Sequence, residues 1–167
     1  TDVMRFLAVA LVFAVAVAVV QAGTYSNAQA VSILNGAGIS VRSSGGCSNR
    51  NNPSCTSLDG IHSECIDGSS GIIVLKRSSG CPVTITGGTE VGHASGTKSH
   101  GNGWKLDVSM NSCLTNYITS KFTSIGGGKW RAGSGNVYYN EGNHWDITSL
   151  DKRFLVHCDP PNDNKPA

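Results

Sequence analysis

Two short segments gather the residue types that hold a hydrolytic metal: Ser99-His100-Gly101-Asn102-Gly103-Trp104-Lys105-Leu106-Asp107 and Glu141-Gly142-Asn143-His144. Two imidazoles and one carboxylate are the usual protein ligands of a catalytic zinc, with the fourth position open to water. A second carboxylate, three residues before the last histidine, is placed to take a proton from that water. The pattern points to metal-assisted hydrolysis. Each residue also has a plainer reading. A histidine in a glycine-rich loop is usually solvated, and Asp107 stands close enough to Asn111 to cap a helix starting there.

Neighbouring residues extend the pattern. His93, in the loop after an expected strand, could donate a hydrogen bond to a tetrahedral oxyanion or orient a substrate; its alternatives are support of a ligand or plain solvent exposure. Ser99 could hold a substrate terminus or the loop itself. Asp146 would share a strand face with His144 and could accept from a ligand histidine. Trp130, Tyr138, Tyr139 and Trp145 are divided between the wall of a cleft and the core. His62 and His157 belong to no pattern and read as surface or structural.

Local elements must position these groups. Ser26 to Asn35 reads as a short helix, with Ser26 as N-cap and Gly36 as its stop. Ile39 to Val41 reads as a strand, and Ser43 to Pro53 as a loop rich in Ser, Gly, Asn and Pro. Leu58, Ile61, Cys65, Ile72 and Leu75 recur at helical spacing, interrupted by Gly68-Ser69-Ser70-Gly71, so a kinked and a broken helix are equal readings. Pro82 to Thr86 alternates as a strand. From Trp104 to Met110, Trp104, Leu106 and Val108 face one way and Lys105 and Asp107 the other. Asn111 to Phe122 predicts a helix, Lys129–Arg131 and Asn136–Tyr139 a hairpin, and His144 to Ile147 a last strand. Short helices mixed with a small antiparallel sheet make the fold α+β.

The rest of the chain sets the context. Arg5, the apolar run Phe6 to Val20 and the small residue Ala22 have the layout of a secretory signal peptide over 1–22. The run is shorter than the roughly 18 residues expected of a membrane span. One domain over 23–158 follows, with a flexible tail over 159–167 rich in proline. The 6 cysteines of the chain all fall after the signal segment, and an even number in an exported chain predicts three disulfides. Cys47 and Cys55 are the expected staple of the polar loop between them. The net charge of +2 is too small to imply a nucleic-acid partner, none is expected, and no basic cluster focuses a field. The expected protein is extracellular, detached from the membrane after signal cleavage, and monomeric.

The order Ser99-His100-x-x-Gly103-x-x-x-Asp107, followed by Glu141-x-x-His144, resembles the paired S-x-H-x-x-G-x-A-x-D and E-x-x-H motifs of the zinc D-Ala-D-Ala carboxypeptidases. That resemblance implies the Hedgehog/DD-peptidase fold, here disulfide-stabilised and of a secreted microbial type. It implies one Zn2+ per chain on His100, Asp107 and His144, with Glu141 as catalytic base and a bacterial cell-wall peptide as substrate. Lys105 departs from the pattern, standing where the family has alanine. It shares a face with Asp107, where its ammonium could hold a substrate carboxylate or snorkel to solvent. The family's upstream substrate-gripping arginine has no unambiguous counterpart, Arg77 lying too near a helix end. Two rivals remain: a non-catalytic zinc-containing binding module of the same fold, and a metal-free disulfide-stabilised effector.

Overall fold

Capping decides where the first helix begins. In the computed structural model, which describes residues 23–150, the Ser26 hydroxyl accepts from the Gln29 amide and the Gln29 side chain accepts from the Ser26 amide. This reciprocal pair satisfies amides that a helix end otherwise leaves bare, and a good cap contributes about 1 kcal/mol. The helix, α1 (Asn27–Gly36), buries Ala30 and Leu34. The signal segment 1–22, residues 151–158 of the domain and the tail 159–167 lie outside the described residues.

The strands and helices then follow as β1 (Thr24–Tyr25), β2 (Ser40–Val41), β3 (Ile61–His62), α2 (Ser63–Ile66), α3 (Ile72–Ser79), β4 (Thr84–Gly87), β5 (Lys105–Ser109), α4 (Ser112–Lys121), β6 (Thr123–Gly126), β7 (Lys129–Arg131), β8 (Val137–Asn140) and β9 (His144–Thr148). The helical spacing from Leu58 to Leu75 resolves as the broken alternative. Gly68 and Gly71 let the chain double back so closely that a Cβ on either would strike the backbone of Glu64 or Ile66. Asn111 caps α4, its side chain accepting from the Leu114 amide at 2.9 Å. Asp107 therefore has no capping duty.

Seven strands form one sheet in the order β2-β4-β5-β9-β8-β7-β6, and β1 pairs with β3 separately. The sheet is larger than expected and is mixed, because β2 pairs with β4 in parallel. Alternation along β5, β8 and β9 divides its faces. Leu106, Val108, Tyr138, Trp145 and Ile147 enter the core, with Trp130 packed edge-on to Trp145 at 5.5 Å. Lys105, Asp107, His144 and Asp146 fall on the opposite parity. Trp104 leaves the expected apolar row and sits half-buried, stacked on His62 at 3.9 Å with Lys98 Nζ over its ring.

Two disulfides crosslink the described residues. Cys47–Cys55 closes the polar loop as expected, and Cys81–Cys113 ties the approach to β4 to the start of α4. Cys65 is buried and unpaired there, its thiol donating to the Gly103 carbonyl, and burial pushes its pKa up to about 12. Cys158, and with it a third bridge, lies outside the described residues. Among the described residues no helix is long and apolar enough to cross a membrane.

Candidate metal centre

On the polar side of the sheet a cavity of about 320 Å³ is lined by His93, His100, Lys105, Asp107, Glu141, His144 and Asp146, with Gly92 and Ala94. Of the polar residues expected at the site, Ser99 is missing from its walls, as are the aromatic candidates Trp130, Tyr138, Tyr139 and Trp145. Register brings them together. Asp107 on β5 is the direct partner of Asp146 on β9, while Ser109 partners His144. The 88–104 connection returns His93 and His100 over β4 and β5. Gly87 makes room, since a Cβ there would collide with the Asp107 carboxylate.

The hydrogen bonds orient both imidazoles. His100 Nδ1 lies 2.7 Å from the Gly88 carbonyl, which can only accept, so Nδ1 carries the proton and Nε2 of the neutral ring presents a lone pair. That Nε2 is 3.2 Å from Asp107 Oδ1. His144 repeats the arrangement. Its Nδ1 is 2.7 Å from Asn143 Oδ1, and its Nε2 is 3.3 Å from the same Asp107 oxygen. Asp107 Oδ1 is buried and finds no hydrogen bond of good geometry. Two lone pairs aimed at one buried carboxylate oxygen repel unless protons or a cation stand between them. Imidazole and carboxylate donors suit a borderline divalent ion such as zinc.

A third imidazole joins from the side. His93 stacks on His100 with centroids 3.8 Å apart, and its Nδ1 is 3.9 Å from Asp107 Oδ2. Ligand atoms of His93, His100 and Asp107 all lie within 4.8 Å of one another, an arrangement that could hold a metal ion. The close cluster is thus His93, His100 and Asp107. His144 approaches Asp107 as a further member, and the sequence had placed it in the triad ahead of His93.

His93 is itself held, its Nε2 lying 3.2 Å from Glu90 Oε1. Glu90 was missed by sequence reasoning. It is buried and accepts from the Ser57 amide at 2.7 Å and the Gly88 amide at 3.1 Å. The available signal was a carboxylate two residues after Gly87-Gly88, able to fold back onto a bare amide at a strand end. In the metal-free protein, burial is the largest influence on the Glu90 carboxyl and raises its pKa. The bond from His93 and the backbone amides together outweigh it, and the pKa is lowered. Asp107 is lowered likewise, with burial overcome by the polar contact with His100 and the positive charge of His100, His144 and His93. His93 is raised, first by its bond to Glu90, with burial opposing and neighbouring carboxylates assisting.

The structure gives three of these positions definite partners. Lys105 reaches the cavity, but its ammonium is taken by Asp146 Oδ2 at 2.6 Å and is not left free for a substrate carboxylate. Asp146 thus has Lys105 as its near partner, with His100 Nε2 farther off at 3.9 Å. Ser99 is buried in the turn it was expected either to hold or to offer to substrate: its Oγ accepts from Asn102 and its carbonyl from Trp104. Glu141 stands on the exposed rim with Oε2 3.3 Å from His144 Nε2. Trp145 and Tyr138 pack in the core and do not wall the cavity. Comparison with family models, curated proteins and solved structures returned no match to this chain.

Proposed function

We propose that the chain is a secreted zinc-dependent peptidase that hydrolyses amide bonds in bacterial peptidoglycan peptides, of the D-Ala-D-Ala carboxypeptidase or endopeptidase type. One observation carries this reading: two imidazoles, each fixed through Nδ1 to an oxygen acceptor, direct Nε2 at the single unsatisfied oxygen of buried Asp107. Glu141 lies beside them at the mouth of the cavity. The crosslinks supply the support for an oxidising, extracellular setting.

His100, Asp107 and His144 would hold zinc, which when bound supplies Lewis acidity toward a carbonyl and acidifies water. Glu141, in contact with solvent and with His144, accepts the proton from the attacking water and returns it to the leaving amine. His93, anchored by Glu90, is positioned to donate to the oxygen that becomes negative. Asp146 neutralises Lys105, so that the ammonium inside the motif does not oppose a cation in the pocket.

His93 also supports the second reading, a non-catalytic zinc module. Its nitrogen belongs to the close ligand cluster, and a fourth protein ligand would close a zinc site against water. His93→Ala separates the two: zinc content near one per chain is retained if the fourth position is open and lost if His93 fills it. For the activity itself, purified peptidoglycan is digested by zinc-loaded protein with and without chelator, with products identified by mass. Chelator-sensitive release of D-Ala or of cleaved stem peptide is expected. Zinc-loaded protein that releases neither overturns the peptidase reading.

A further inference from the structure

The polar side of the sheet does not end at the cavity. Tyr139 on β8 is the direct partner of Asp146, and Lys129 on β7 is the direct partner of Tyr139. A parallel row runs from Lys105 through Thr148 and Val137 to Arg131. Directly paired residues share a sheet face, so Lys129 and Arg131 stand on the face that carries the metal-binding residues. Trp130, between them in sequence, and Tyr138 on β8 turn the other way, against Trp145 and Phe122 respectively. Lys129 and Arg131 are exposed and Tyr139 is half-buried, with Lys129 Nζ 4.8 Å from the Tyr139 ring centroid.

The charge of this shelf is one-sided. From Val108 to Asn140 the sequence contains Lys121, Lys129 and Arg131 and no Asp or Glu. Beside it, the cavity is walled by the carboxylates of Asp107, Glu141 and Asp146. Strands are spaced about 4.8 Å apart, which puts Lys129 roughly 10 Å from Asp146 and Arg131 roughly 14 Å from Lys105. An extended peptide covers about 3.3–3.6 Å per residue. A carboxylate some three to four residues from a bond held in the cavity therefore reaches the two cations.

We propose that the β7–β8 shelf is a docking surface for the carboxylate-bearing peptide stems of polymeric murein, with Lys129 and Arg131 as its anchoring cations. This extends the peptidase reading, on which it rests, by adding an anchoring surface for the assembled polymer beside the cavity. Cation-lined surfaces beside a site raise local substrate concentration in a salt-dependent way.

The test is co-sedimentation of the full chain with insoluble murein stripped of accessory polymers, at low and high salt. Wild-type protein is expected to sediment at low salt and to be released at high salt. Lys129→Glu/Arg131→Glu should lower the bound fraction about tenfold while keeping the wild-type melting temperature and zinc content. Lys129→Glu alone should weaken binding more than Lys121→Glu, which changes the net charge equally but lies on α4. Equal loss from both single variants, undiminished sedimentation of the double variant, or no wild-type sedimentation at low salt overturns the docking surface. Wild-type protein that sediments through Lys129 and Arg131 but cleaves no amide bond supports the surface and refutes the peptidase.

Discussion

The two walls of the cavity are built on opposite terms. The wall from β4, β5 and their connection carries His93, His100 and Asp107, with His93 held by buried Glu90 and His100 by the Gly88 carbonyl. The facing rim, Glu141 to His144, holds its acid in the open: the Glu141 side chain is 38% exposed and that of Glu90 is 4%. Under the proposed peptidase reading the difference separates two tasks. Holding a cation demands donors fixed before it arrives, because reorganising them would cost affinity. Moving protons demands a carboxylate in contact with water.

The contrast can be broken from either side. The largest effect is expected at the shared oxygen. Asp107→Asn keeps the shape but removes the charge on which His100 and His144 converge, and zinc affinity should fall by more than about a hundredfold, beyond the loss typical of a supporting residue. Titration against a competing chelator measures it, and unaltered affinity would remove Asp107 from the ligand set. Next comes Glu141→Gln. Peptidoglycan turnover should drop by about 10²–10⁴-fold with the zinc content unchanged. A variant that loses its zinc would move Glu141 from proton handling to metal holding.

The smallest effect, seen in metal-free protein, sharpens the buried side. Glu90 and Asp107 have lowered pKa values, so their contribution to stability is complete above the unfolded carboxyl value, about 4, and is lost as pH falls through the folded one. His93 is raised, so its contribution is complete below the unfolded value, about 6.5, and is lost as pH rises through the folded one. The melting temperature should accordingly peak between about pH 4 and 6.5. Glu90→Gln should cost about 1–3 kcal/mol and flatten the alkaline limb, since His93 loses its anionic partner. An alkaline limb unchanged in that variant would show that Glu90 does not hold His93.

Much of the cavity was legible because strand parity is a local property. Period two placed Lys105 with Asp107 and His144 with Asp146 on common faces, and Ser26 as N-cap with Gly36 as stop announced α1. What escaped depended on register and on backbone atoms. Nothing in the sequence says that β5 meets β9 with Lys105 opposite Thr148, the offset that lets Lys105 reach diagonally to Asp146. The Gly88 carbonyl that fixes the His100 tautomer carries no side-chain signature. Strand β6 was missed because Thr123 to Gly126 is exposed throughout and so shows no alternation. The two-residue β2 gave no cue to its parallel pairing, which is why a purely antiparallel sheet was expected.

The Cys47–Cys55 crosslink reaches further than its own loop. Thr56, the next residue, donates from its hydroxyl to the Arg42 and Thr86 carbonyls. Ser57 then donates its amide to Glu90, and its carbonyl accepts from the Thr89 amide. The chain of support runs from the sulfur bridge, through two residues of backbone, to the anchor of His93. Reducing this bridge is therefore expected to slacken the brace beneath His93 while leaving every side chain of the cavity in place.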